Sequence, residues 1–303
     1  MTTDADRLRI PPFRVLLDGA MRPTRRFFTA IYPAVAIPVI VAVAIQTVLQ
    51  TLVMADFFRG MAQAESDPKA FFVSWLGIMG LSLVFVVVYM VASTVVLAAA
   101  CDATASRPVD MGRTWRWAFS PRVFGTTLMT WLVIGIGMMC CLLPGILLWV
   151  LLAFVVPVMA LEERFGTAAW SRSYQLVAHN PGGSLASHPG LRVLAIGVVT
   201  VLLSYLVSLI VSLPFVIVQQ VLLYRSATEN PAQLAQGASM PTGWLWLQVP
   251  QTVLSQLANM AIWIYAGFVV ARLFEALRGL KEGTDLEAAL DELGAPDPTE
   301  PVA

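Results

Sequence analysis

Five long runs without a single Asp, Glu, Lys, Arg or His divide the chain: Phe27 to Met54, Phe71 to Cys101, Val123 to Leu161, Val193 to Tyr224, and Leu245 to Ala271. Their apolar residues come in long uncharged runs, not at the spacing of a soluble helix. This is the pattern of helices that cross a bilayer, whose core of about 30 Å takes about 20 apolar residues. The third run would measure roughly 58 Å as one helix, too long for a single crossing. Its middle reads Leu142-Leu143-Pro144-Gly145. Proline removes a backbone donor and glycine frees the backbone, so a hairpin turn is predicted there. Six spans follow, at about 27–54, 71–101, 123–142, 145–161, 193–224 and 245–271. The predicted fold is an all-α, polytopic integral membrane protein, with residues 27–275 as the membrane domain.

Short amphipathic segments precede alternate spans. Phe13, Leu16, Leu17 and Ala20 form one face before the first, against Arg14, Asp18 and Arg22. Met111, Trp115, Ala118 and Phe119 precede the third, against Asp110, Arg113 and Thr114. Phe165, Ala169, Trp170, Ser173, Leu176 and Val177 form the arc before the fifth. Such segments lie in the headgroup plane. The six spans therefore group into three units of surface helix plus helical hairpin. The plainer alternative is that these are connectors with an apolar side.

Charge placement orients the bundle. With the N-terminus inside, only Arg59, Lys69 and Arg225 of the 19 Lys and Arg fall outside. By the positive-inside rule both termini are cytoplasmic, in a cell inner membrane. Residues 1–26 then form a cytoplasmic amphipathic N-terminus. A signal peptide is the competing reading of the first run, but secretory cores are far shorter, so it is read as a retained span. Trp75, Trp244 and Trp246 are placed near the outer interface, and Trp115, Trp117 and Trp170 near the inner one. After the last span, Gly283 reads as a helix C-cap. Thr284-Asp285-Leu286-Glu287 reads as a capping box opening a short helix closed by Gly294, and residues 295–303 read as a disordered acidic tail. In the longest outer loop, Asn230 and Pro231 read as the start of one short helix.

The composition is 58% hydrophobic and 13% charged, with formal net charge +0, so nothing points to nucleic acid. No ionisable side chain lies inside a span. This argues against proton relays and charged ion filters, and against most intramembrane hydrolysis. Neither a cofactor nor an enzyme activity is expected. His179 and His188 lack metal-ligand spacing. Cys140 and Cys141 are read as buried thiols and Cys101 as a small apolar residue. Pro33, Pro38, Pro214 and Pro250 lie within spans, as hinges or as static kinks.

Neutral polar residues form a stripe. Gln248, Gln251, Ser255 and Asn259 share an arc of the sixth span, and Ser204, Ser208, Ser212 and Gln219 an arc of the fifth. Gln46 and Gln50 lie near the outer end of the first. They line a polar cavity open to the outer leaflet, or they bond across helices and hold the bundle together. At the inner surface, Arg172 is placed to meet Glu162, Glu163 or the tail carboxylates Glu282, Asp285 and Glu287 as an ionic lock.

Two stretches resemble a known family. Glu162, Gly166, Ala169, Arg172, Ser173 and Leu176 follow the fourth span. Leu277, Arg278, Lys281, Glu282, Gly283, Asp285, Leu286 and Glu287 follow the sixth. With the basic start and the Pro-Gly hairpin, they look like the six-span membrane domain named after glycerophosphoryl diester phosphodiesterases, over about residues 13–290. Ala276 stands where the family usually has an acidic residue, with Glu275 one place earlier. The resemblance implies a stand-alone bacterial membrane domain. The phosphodiesterase activity belongs to a separate soluble barrel that this chain lacks, so the resemblance implies no reaction. The expected function is a non-enzymatic scaffold, anchor or partner-organising module, in contact with membrane lipids and other membrane or cytoplasmic proteins. The alternative is a permease, or a protein handling a lipid or small solute in the neutral cavity.

Overall fold

The computed structural model describes residues 12–62, 68–178, 188–229 and 242–294. Among them are nine helices and no strand: α1 Phe13–Ala62, α2 Pro68–Thr104, α3 Met111–Ala118, α4 Pro121–Cys140, α5 Leu142–Leu151, α6 Val155–Glu162, α7 Thr167–Ala178, α8 Pro189–Glu229 and α9 Thr242–Gly294. Six stretches are long and apolar enough to cross a membrane, the α5–α6 pair counting as one. The protein is a multi-pass helical bundle.

Helix α9 is the central element and packs on α1, α2 and α8. The core fills one half of the bundle. Ile31, Val35, Val39 and Val43 of α1 meet Met90, Val95 and Ala99 of α2, with Ile264, Phe268 and Phe274 of α9. The run Ala98-Ala99-Ala100-Cys101 is buried. Small side chains there allow the close backbone approach on which membrane helix packing depends. Toward the other end the helices splay. Val73, Leu76, Leu83 and Val84 of α2 and Val201, Leu206, Ile210 and Ile217 of α8 face outward, as lipid-facing surfaces do.

The predicted hairpin is present, but its turn lies earlier than expected. Cys141 is the single extended residue, with φ −167° and ψ 136°, and caps both α4 and α5. Pro144 sits in the first turn of α5, where its missing N–H costs no intrahelical bond. Gly145 serves close approach instead: a Cβ there would lie 2.6 Å from the Met138 backbone nitrogen. Cys140 and Cys141 are exposed at this tip, contrary to the buried reading, whereas Cys101 is buried. The indole of Trp149 packs onto the bare face of Gly197 and joins the hairpin to α8.

Two surface segments stand as separate helices, α3 and α7. The segment ahead of the first span instead runs unbroken into it, because Pro23 lies inside α1 without ending it. Its apolar face is as expected: Leu16 and Ala20 are buried, and the Tyr265 hydroxyl donates to the Leu17 carbonyl at 3.1 Å. On α3, Asp110 caps the helix by accepting from Gly112 and Arg113. Thr114 is buried and Phe119 exposed, the reverse of their expected sides. Near the C-terminus the expected break at Gly283 is absent, and α9 continues to Gly294. The side chains of the Thr284 capping box, the start at Asn230 and Pro231, and the tail 295–303 lie outside the described residues.

Replacing Gly145 with Ala forces a Cβ into backbone that has no flexible end to move. We expect Gly145→Ala to cost about 1–3 kcal/mol, read as a lower melting temperature in detergent. Gly125→Ala, where a Cβ meets nothing within 4 Å, should leave the melting temperature unchanged or raised.

Candidate functional site

Two places gather the polar residues of the bundle. The first runs from the middle to the C-terminal end of the fourth span, which is not one helix. Pro157 sits in the first turn of α6 and cannot donate to the carbonyl four residues back, so the backbone opens between Leu151 and Val155. Opening frees the Leu151 carbonyl and the Phe154 N–H. Both are taken by one side chain from α7. The Ser173 hydroxyl donates to Leu151 O at 2.7 Å and accepts from Phe154 N at 3.2 Å. Ser173 is 0% exposed.

Helix α7 is held against α4 as well. Thr126 and Thr130, one helical turn apart, each donate back to the carbonyl four residues earlier, which leaves their oxygens free to accept. Thr126 accepts from Gly166 N at 2.9 Å, and Thr130 from the Trp170 indole at 2.9 Å. Gly166 has φ +61°, a left-handed conformation that suits glycine. Glu163, also left-handed, closes α6. On the bundle side of α7, Ala169, Leu176 and Val177 are buried.

The predicted ionic lock forms, with a narrower membership. Arg172 Nε donates to both Glu162 oxygens, at 3.1 and 3.0 Å. The side chains are 11% and 7% exposed. Arg164 approaches the same carboxylate at 3.4 Å. Glu282 of α9 lies 3.8 Å from Arg172 Nη2 and accepts from Arg278 at 2.7 Å. Lys281 reaches Gln175 of α7 at 3.5 Å. Glu163 is exposed and makes no ion pair among the described residues, since its left-handed backbone turns away from Arg172. The side chains of Asp285 and Glu287 lie outside the described residues.

A second repair of broken backbone uses α3. Pro38 cannot bond the Ala34 carbonyl, and the Trp115 indole donates to that oxygen at 3.2 Å. The half-buried Trp115 and Trp170 thus both turn their indole N–H toward the bundle. His188 accepts from Gly190 N at 3.1 Å at the start of α8, a structural role; His179 lies outside the described residues. Among the described residues, no group of three His, Cys, Asp or Glu is placed to hold a metal.

The second place is the polar stripe. Gln219 Nε2 donates to Gln251 Oε1 at 3.1 Å, and Asn259 Nδ2 to Ser208 Oγ at 2.9 Å, so α8 and α9 are bonded as the packing alternative expects. They also leave an open lateral groove of about 360 Å³, lined by Tyr205, Ser208, Leu209, Ser212, Gln251 and Ser255. Ser204 Oγ and Asn259 Oδ1 are buried without a partner. Gln248 is half-buried outside the lining, and Gln46 and Gln50 on α1 do not reach it.

Sequence reasoning missed Pro157, Thr126, Thr130 and the clamping role of Ser173. The Thr-x-x-x-Thr spacing on one face and a proline within a charge-free run were the available signals.

Arg172→Ala strands the Glu162 carboxylate with only the outlying Arg164. We expect a loss of about 3 kcal/mol, seen as a lower melting temperature in detergent. Arg14→Ala, at a side chain 92% exposed, should change stability by less than about 0.5 kcal/mol. Arg192 is half-buried and unsuited as the solvated control. Ser173→Ala leaves two backbone groups unsatisfied and should cost about 2–4 kcal/mol, while Ser173→Thr retains the hydroxyl and should cost less.

The chain matches no family model, no curated protein and no solved structure.

Proposed function

We propose that this is a non-enzymatic inner-membrane protein, with both termini in the cytoplasm, that accommodates the polar part of a membrane lipid or a small uncharged solute between α8 and α9. The groove lined by Ser208, Ser212, Gln251 and Ser255 carries this reading. Ser208, Ser212 and Gln251 keep hydrogen-bonding capacity beyond the bonds they make within the bundle. A ligand arriving laterally from the bilayer can use it. The resemblance to the membrane domain named after glycerophosphoryl diester phosphodiesterases belongs to the same proposal.

A second reading, a scaffold that organises partners, draws on the other end of the bundle. There α7 and the extended end of α9 are tied together through Arg172, Glu282, Lys281 and Gln175, a fixed polar platform on which a cytoplasmic protein can dock.

The threading has a direct test. In a background with Cys140 and Cys141 replaced by Ser, Ser66→Cys and Ser239→Cys should label from outside intact cells and Thr299→Cys should not. Labelling at Thr299→Cys refutes the orientation. For the groove, native mass spectrometry of protein released from nanodiscs should show retained lipid, reduced in Ser212→Leu, which fills the lining. Equal lipid in both proteins, with photo-crosslinks spread evenly over all spans, refutes it.

A further inference from the structure

The groove's side chains carry both donors and acceptors, and these constrain what fits. Ser208 Oγ already accepts from Asn259 Nδ2, so its own proton is free to donate. Gln251 Oε1 accepts from Gln219, so its NH₂ group is also free to donate. Ser212 donates to the Leu209 carbonyl at 3.2 Å, so its lone pairs remain to accept. Ser255 does either. The lining therefore presents donors and acceptors side by side. A hydroxyl, itself both donor and acceptor, satisfies that set. A phosphate, which only accepts, can meet the donors of that set and leaves its acceptors unused.

Charge and depth point the same way. The lining holds no cation. Along α8 the next cation after Ser212 is Arg225, roughly 20 Å away, and along α9 the next after Ser255 is Arg272, roughly 25 Å away. From Gln251 to Asn259 the polar groups descend roughly 12 Å along α9. A headgroup that follows them leaves the interface for the hydrocarbon, where an uncompensated charge is strongly disfavoured. Beyond the polar groups the same seam turns apolar. Leu203, Ile262, Ala266 and Val269 line a mainly apolar crevice of about 20 Å³, over whose surface an acyl chain can lie but which it cannot enter.

We propose that the α8–α9 groove selects a membrane lipid with an uncharged, hydroxyl-bearing headgroup, of the diacylglycerol kind, over anionic phospholipids. This rests on the groove reading above and adds its specificity.

The test uses the full chain in nanodiscs doped with photoactivatable diacylglycerol or photoactivatable phosphatidylglycerol, the reactive group placed near the headgroup, with crosslinked peptides mapped by mass spectrometry. Peptides carrying Tyr205 to Ser212 and Gln251 to Ser255 should label at least about tenfold more with diacylglycerol, the equivalent of about 1.4 kcal/mol. Ser208→Val with Ser255→Val should abolish that excess. Gln251→Lys, which places a cation in the lining, should shift labelling toward phosphatidylglycerol, so the proposal stays falsifiable if the double variant does not fold. Equal or greater labelling of the wild-type peptides by phosphatidylglycerol overturns the selectivity and leaves the groove reading standing. Absence of labelling in these peptides with either lipid overturns both.

Discussion

A polypeptide in hydrocarbon must satisfy its own backbone, because no water is present to do so. This chain carries prolines inside its spans, and beside two of them side chains take up unpaired backbone groups. Trp115 takes the carbonyl released by Pro38, and Ser173 takes the Leu151 carbonyl and the Phe154 N–H at the helix break ahead of Pro157. Each donor comes from a short amphipathic helix beside the bundle. The surface helices are therefore structural partners of the broken spans. Once α7 is tied to the break, to Thr126 and Thr130, and through Arg172 to Glu162, none of these elements moves without exposing a polar group. Of the prolines that could have served as hinges, Pro38 is braced by a side chain from outside its own helix.

That constraint divides the molecule. At the end where α3 and α7 lie, side chains are packed, bonded and paired, and Phe154 meets Phe274 with ring centroids 5.8 Å apart. In the other half α8 leans on α9 alone for much of its length and turns an apolar face outward. Two helices meeting without a third to fill their seam leave a groove. The packed half holds the adjoining ends of α8 and α9 against the bundle.

Much of this was legible in the residues. Charge-free runs mark the spans because hydrocarbon excludes charge, and the overlong third run had to fold back on itself. The turn was misplaced because proline is tolerated in a first helical turn, so Pro144 marks a helix beginning and Cys141 takes the extended geometry. The Glu162–Arg172 pair was readable because both charges sit just past the span. Glu163 could not be separated from Glu162, since only the left-handed backbone distinguishes their directions. The clamp by Ser173 was hidden, because a serine on an apolar arc reads as tolerated packing until the broken backbone opposite it is known. The groove was legible as a stripe. That it both bonds across helices and stays open follows from helix spacing, which residue types do not encode.

Depth decides which chemistry each half uses. Glu162 and Arg172 work as a buried ion pair because they lie at the end of a span, with Arg164 and Glu282 at hand to complete the network. The same pair moved to the level of Ser208 would meet only hydroxyls, amides and alkyl chains, and its desolvation would exceed the attraction between the charges. Recognition at mid-span is left to neutral groups, whose bonds are individually weak and depend on matching donor to acceptor. Ser208, Ser212, Gln251 and Ser255 differ in which of those roles remains open to them, and under the proposed lipid reading that difference favours a hydroxyl over a phosphate.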